Sequence, residues 1–298
     1  MTLQQLRYVT MVAETGTITE AANRLYISQP SLTNAIHELE KEMNIVIFNR
    51  TNKGISLSRE GEDFLGYARQ ILEQAAILED KYKGNGGGKK QYCVSTQHYS
   101  FAVNAFVDLI KEYGQDEYDF SLRETQTYEI IEDVARLRSE IGILFLNDFN
   151  EAVINKIVKS YDLEFHQLYV AKPHVFISRK HPLAGKDRII NEELEEYPYL
   201  SFEQGEHNSF YFSEEVFAAV ERKKNIRVRD RATLFNLLIG LNGYTVCSGV
   251  IDKKLNGKDI IAVPLADEND MRIGYITHRK GMLSRLGNTY LEAIKKYL

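Results

Sequence analysis

Apolar residues recur at helical spacing through the first eighty positions and change to short strand-like runs after position 90. Leu3, Leu6, Val9 and Val12 mark a first helix. A short second helix over 19–25 takes Thr17 or Thr19 as its cap, and Glu20 meets the positive end of its dipole. Ser28 caps a third helix. Pro30 falls in its first turn, where a missing N–H costs little, and Leu32, Ile36, Leu39 and Met43 form one apolar face. Asn44 is its expected left-handed stop. Positions 45–48 and 55–57 then read as two short strands around the polar, basic turn Asn49-Arg50-Thr51-Asn52-Lys53-Gly54. A long helix over about 58–83 carries Phe64, Ala68, Ile71, Ala75, Leu78 and Tyr82 at alternating spacings of four and three. That is a heptad stripe, too long for the small head to bury alone, so it predicts a dimer through Phe64, Ala68, Ile71, Ala75 and Leu78.

The run Gly84-Asn85-Gly86-Gly87-Gly88-Lys89-Lys90 can neither hold a helix nor pack a core, and reads as a hinge. Beyond it, strands at 92–95, 118–123 and 141–146 alternate with helices at 100–113 and 127–138. This β-α-β-α-β order predicts a parallel sheet covered by helices. Further strands fall at 175–177, 199–202, 226–228 and 244–246, and further helices at about 208–222, 232–241 and 283–297. The predicted class is thus α + α/β.

The stretch from Glu20 to Ile36 has the layout of a helix-turn-helix. Small Ala22 stands where two helices must cross closely, and Leu25, Ile27, Leu32 and Ile36 lie beneath. Gln29, Ser31, Asn34 and His37 point outward, with Thr33 placed to reach phosphate. In this motif the second helix enters the major groove and its N-terminal residues meet base edges. Gln and Asn suit adenine N6 and N7, and Ser and Thr suit several partners. A solvated polar helix face has the same pattern. The basic turn separates the two readings, because Arg50 and Lys53, with Arg59 at the base, form a wing suited to phosphate or the minor groove. The candidate DNA contacts are Thr19, Ser28, Gln29, Pro30, Ser31, Thr33, Asn34, His37, Arg50 and Lys53.

Bulk charge adds nothing to this case. The 298 residues carry −5, and residues 1–90 hold as many acidic as basic side chains. The 44% hydrophobic content is that of a soluble globular protein. Two distant cysteines, Cys93 and Cys247, make neither a disulfide framework nor a metal-ligand spacing. No run of about 18 apolar residues predicts a membrane span, and the opening residues lack the pattern of a secretion signal, so a cytoplasmic location is expected. An enzyme is the main alternative of another class, yet GxSxG, GxGxxG, HExxH and P-loop motifs are all missing. His166, His174 and His181 fit no compact metal site. No catalytic residue, metal ligand or cofactor is assigned. A solute-binding transport protein is the second alternative for the C-terminal part.

Residues 1–83 resemble the N-terminal part of LysR-type transcriptional regulators. The matching residues are Leu6, Ala21-Ala22, Leu25, Ser28-Gln29-Pro30-Ser31, Thr33, Ile36, Leu39-Glu40, Phe48, Arg50, Leu57-Ser58 and Gly61. Asn44 replaces the family's usual Gly and Ser58 its usual Thr, each keeping the backbone or capping role. More loosely, Pro173-His174-Val175-Phe176-Ile177, His181-Pro182-Leu183-Ala184 and Gly240-Leu241-Asn242-Gly243-Tyr244-Thr245 resemble the family's effector-binding domain. The resemblance implies a winged helix-turn-helix over 1–58, a linker and dimerisation helix with hinge over 59–90, and an effector domain over 91–298. That domain would have a type 2 periplasmic-binding fold, with lobe I at about 91–162 and 266–298 and lobe II at about 163–265. It also implies a sequence-specific regulator that binds double-stranded operator DNA as a homodimer or homotetramer, answers to a small-molecule effector, and has RNA polymerase as a candidate partner, with no membrane. In such a fold the effector meets strand ends and helix N-termini in the cleft. The candidates are Ser95, Thr96, Gln97, His98, Ser100, Thr125, Phe202, Glu203 and Thr245. Hydroxyls there suit a carboxylate and Glu203 suits an ammonium, which together predict an amino-acid-like or carboxylate effector.

Overall fold

The computed structural model describes residues 1–51, 54–83, 90–114, 117–207, 209–251, 257–267, 269–279 and 281–298, without the side chains at 50, 51, 54, 73, 77 and 80–83. Lys53 and most of the glycine hinge lie outside the described residues, as do the side chains of Arg50 and Tyr82. The chain divides into two units, Met1–Gly88 and Lys89–Leu298.

The first unit runs α1 (Leu3–Thr15), α2 (Ile18–Arg24), α3 (Gln29–Met43), the hairpin β1 (Phe48–Thr51) and β2 (Gly54–Leu57), and α4 (Arg59–Lys83). Local chemistry sets the helix ends. Thr17, not Thr19, caps α2 by accepting from the Glu20 N–H, and Ser28 caps α3 by accepting from the Ser31 N–H at 3.2 Å. Asn44 ends α3 in the left-handed region at φ 53°. The core gathers Val9, Val12, Ala21, Ala22, Leu32, Ile36, Leu39, Ile47 and Leu65. Strand β1 starts later than expected because the Ile47 and Phe48 N–H groups donate to the Glu40 carboxylate, at 2.8 and 3.1 Å. That bond ties the start of the wing to α3.

The heptad stripe of α4 divides into two parts. The helix lies along α1, Leu65 is buried in the core, Phe64 packs against it and Ala68 is 1% exposed. Ala68 is therefore covered within the unit and Phe64 half-buried, since the helix start is pinned against the wing. Ile71 and Leu78 stay exposed and Ala75 is half-buried.

The second unit contains two five-stranded sheets. Lobe I is built from β3 (Lys90–Thr96), α5 (Ser100–Tyr113), β4 (Tyr118–Glu124), α6 (Thr127–Ala135), β5 (Ile141–Leu146), α7 (Glu151–Ser160), β6 (Leu163–Ala171), β12 (Met271–His278) and α9 (Arg285–Ile294), in sheet order β4-β3-β5-β12-β6. Strands β3, β4 and β5 are parallel, and β12 runs antiparallel between β5 and β6. Lobe II holds β7 (His174–Ser178), β8 (Tyr199–Phe202), β9 (Asn225–Val228), α8 (Arg231–Leu241), β10 (Tyr244–Cys247) and β11 (Ile260–Pro264), in order β11-β7-β10-β8-β9. The chain passes between lobes twice, after β6 and after β11, and the Leu265 N–H donates to the Pro173 carbonyl where the crossings meet. This is the two-lobed α/β arrangement that the resemblance implied.

Two expectations need correction. Strand β6 pairs along its length with β12, so 163–171 belongs to lobe I, and the lobe boundary follows Ala171. Over 208–222 the described residues form no α-helix, only a short 3-10 turn at Phe210–Phe212, with Phe217 at φ 66°. Neighbouring helical positions diverge by about 100°, whereas Glu214 and Glu215 both turn into the interior, at 7% and 4% exposure.

Candidate nucleic-acid interface and ligand cleft

The outward face of α3 is continuous. Gln29, Pro30, Ser31, Asn34 and His37 are exposed, Thr33 is half-exposed, and Thr19 and Ser28 sit exposed at the helix entry. Leu32, Ile36 and Leu39 are buried on the opposite side. The Thr19 hydroxyl donates to Gln29 Oε1 at 3.4 Å, and the Ser28 and Ser31 hydroxyls lie 2.7 Å apart. These bonds preset side chains at the helix N-terminus, where a major-groove reader needs them. Tyr26, 96% exposed, occupies the turn between α2 and α3 at φ 55°.

The base of the wing is held by three hydrogen bonds of Ser58. The Ser58 hydroxyl accepts from the Gly61 N–H at 2.8 Å and donates to the Val46 carbonyl, while the Ser58 N–H donates to the Ile47 carbonyl at 2.9 Å. Ser58 thus caps α4 and fastens it to the strand in one step.

In the second unit the carboxyl ends of β3, β4 and β5 face those of β8, β9 and β10, and groups from the two lobes meet across the gap. The His98 ring stacks on Phe202 with centroids 3.7 Å apart and planes 2° from parallel. His98 bonds Glu214 twice, through its backbone N–H and through Nδ1, both at 2.9 Å. Gln204 Oε1 accepts from the Thr127 N–H at 3.0 Å, filling the N-terminus of α6 from the opposite lobe. Arg231, at the start of α8, pairs with Glu124 at the end of β4. Burial lowers the Arg231 guanidinium to about 10, which leaves it cationic at neutral pH.

The structure gathers some of the sequence candidates here and disperses others. His98, Ser100, Phe202 and Thr245 line the cleft. Gln97 is fully buried beneath it, donating to the Thr127 hydroxyl at 2.6 Å and accepting from the Tyr99 hydroxyl and the Phe145 N–H. Ser95 instead donates to the buried Asp133 at 2.6 Å, and the Thr96 hydroxyl to the Gln97 carbonyl at 2.8 Å. Thr125 bonds Glu129, and Glu203 pairs with Arg229, so neither offers its group to the cleft. Glu214, Glu215, Arg231, Phe176 and Phe235 are cleft residues that the sequence reading missed. The Asp230 cap ahead of a helix was the available signal for Arg231; the two glutamates had none.

His98 joins the lobes through a ring stack and a bond to a buried carboxylate. His98→Ala should cost the second unit about 1.5–3 kcal/mol, because Glu214 would be left partly unpaired. Urea unfolding measures this, and Thr96→Ala, whose hydroxyl serves only its own strand end, should change cleft behaviour far less.

Comparison with known proteins follows the same division. The family model described as bacterial regulatory helix-turn-helix protein, lysR family, matches residues 3–62, and the one described as LysR substrate binding domain matches residues 93–298. The uncharacterized HTH-type transcriptional regulator YnfL of Escherichia coli (strain K12) is 29% identical over 205 residues, 67% of this chain and 65% of that protein's length. The RuBisCO operon transcriptional regulator of Allochromatium vinosum is 25% identical over 290 residues, 94% of this chain and 91% of that one. Among solved structures, full-length OxyR from Pseudomonas aeruginosa superposes with a TM-score of 0.69 at 20% identity, covering 99% of this chain and 95% of that chain. That likeness concerns the fold.

Proposed function

The chain belongs to the LysR family of transcriptional regulators, with a helix-turn-helix domain and a substrate-binding domain, and from that premise we propose how it works. It binds operator DNA in the cytoplasm as a dimer, through α3 and the β1–β2 wing, and its effect on transcription changes when a small molecule enters the cleft between the lobes. RNA polymerase is the further partner this reading carries. The observation that supports it most is the exposed polar face from Gln29 to His37 on a helix whose other face is core.

Phosphate contacts and base contacts fail differently, and this separates the roles. Gln29→Ala should relax preference at one position of the operator by about 1–3 kcal/mol. Arg50→Ala should weaken binding to all sequences and reduce the salt slope by about one. Gel-shift titrations on a randomised operator library, at several salt concentrations, read both. Uniform loss from both substitutions would contradict the division of roles.

The effector half of the reading rests on the bonds that hold the cleft shut. His98 to Glu214, Gln204 to Thr127 and Arg231 to Glu124 each join lobe I to lobe II. A ligand that binds the two lobe arrangements unequally shifts their populations, and lobe movement is the signal. An amino-acid-like effector suits the lining, with the Thr245 hydroxyl, which is buried without a hydrogen-bond partner among the described residues, and with Arg231 for a carboxylate that displaces Glu124 from it.

A further inference from the structure

The cleft has two compartments, and Glu215 stands in the wall of both. The first, beside His98, Phe202 and Arg231, has about 40 Å³ of free space, room for a few waters. The second, beyond Glu215, has about 250 Å³ and walls that include Phe145, Phe149, Phe210, Val216 and Phe217. An apolar cavity of roughly 150 Å³ accepts a benzene ring, so only the second compartment takes the body of a ligand.

The polar groups around that compartment are mostly engaged. Asn147 Oδ1 accepts from the Phe149 and Asn150 N–H groups, Asn150 Oδ1 accepts from the Asn147 N–H, and Asn269 donates to Asp267. Buried Glu215 is engaged through one oxygen only. It is 4% exposed; its Oε1 accepts from the Phe202 N–H at 2.8 Å, and its Oε2 has no hydrogen-bond partner among the described residues. Its neighbour Glu214 is satisfied by His98 and Gln204. The Glu215 charge acts on Glu214, Tyr99, Tyr199 and Cys247, and no ion pair joins it to a cation among the described residues. Arg231, in the first compartment, is paired with Glu124. Burial first, then Glu214, pushes the Glu215 carboxyl well above its usual range. A buried carboxyl whose second oxygen has no hydrogen-bond partner and no ion pair among the described residues, beside a ring-sized apolar space, is half of a recognition site for an amine.

We propose that Glu215 receives the ammonium of the effector, whose apolar body of about one ring fills the second compartment, so that the effector is an aromatic or branched aliphatic amine or amino acid. The proposal rests on the cleft being the effector site. It moves the ammonium role from Glu203, which Arg229 occupies, to a residue within the stretch 208–222 that the sequence alone predicts as a helix.

Calorimetry on the full-length protein with phenethylamine, 3-phenylpropanoate and 2-phenylethanol tests the idea without any mutation. Phenethylamine should bind at least tenfold more tightly than the other two, and Glu215→Gln should remove that preference. The variant should also fold well. A carboxyl raised in the folded state makes wild-type stability fall as pH rises from the ordinary carboxylate value through the raised one, and glutamine removes that fall. Tighter binding of 3-phenylpropanoate would overturn the amine while leaving an effector cleft. No binding by any of the three would overturn the inference, and operator binding measured on the same sample decides the regulator reading independently.

Discussion

Replacing Gly61 by alanine is expected to destabilise the first unit by about 3 kcal/mol and to abolish operator binding at the same time. Overpacking a well-filled site costs about 1–3 kcal/mol and occasionally more, and here the neighbour is backbone. A Cβ at Gly61 would collide with the Ile47 carbonyl, lying 2.8 Å from its carbon and closer still to its oxygen. That oxygen already accepts the Ser58 N–H, and the Gly61 N–H is held by the Ser58 hydroxyl. Neither side can yield without moving α4 away from the wing. For a domain of this size each kcal/mol is worth about 4–8 °C, so the melting of the first unit should fall by more than about 10 °C. Thermal unfolding followed by circular dichroism reads the shift; an unchanged melt would show that the strand and helix are not packed as described.

The second large effect is expected at the exposed end of α4. Ile71→Glu with Leu78→Glu should convert a dimer into a monomer and lower operator affinity by roughly 10²–10⁴, the gain that linking two binding modules supplies. Both side chains are exposed in the single chain, at 38% and 59%, so neither change should unfold the unit. Sedimentation and gel shift on one preparation separate the outcomes. A variant that stays dimeric would place the dimer contact elsewhere. Substituting Ala68 cannot make this test, since it is covered within its own unit.

The first unit was legible because its determinants are local. Ser28, Pro30 and Asn44 announce the start and stop of α3 within the helix itself, and one apolar stripe says which face is buried. The parallel strands of lobe I were legible for the same reason, each being a short apolar run set off by turn residues. What escaped notice depends on partners distant in sequence. Strand β6 alternates like any edge strand, and its place is decided by β12, which lies about a hundred residues later. Glu214 and Glu215 look like the solvated face of a helix until His98, more than a hundred residues earlier, reaches one of them. In the cleft, Ser95 and Thr96 had the right chemistry at the right strand end, but one side chain bonds Asp133 and the other its own backbone. Alternation along a strand tells two faces apart; it does not say which face looks toward a second lobe.

The central claim is that α3 reads operator DNA in a dimer. Footprinting of the purified full-length protein on genomic fragments, selected by its own binding, tests this most directly. The account predicts two protected half-sites separated by about one helical turn of DNA or a multiple of it, with the preference at one position in each half-site lost in Gln29→Ala. Protection that shows no sequence preference at any salt concentration, or a footprint that Gln29→Ala leaves unaltered at every position, would contradict it.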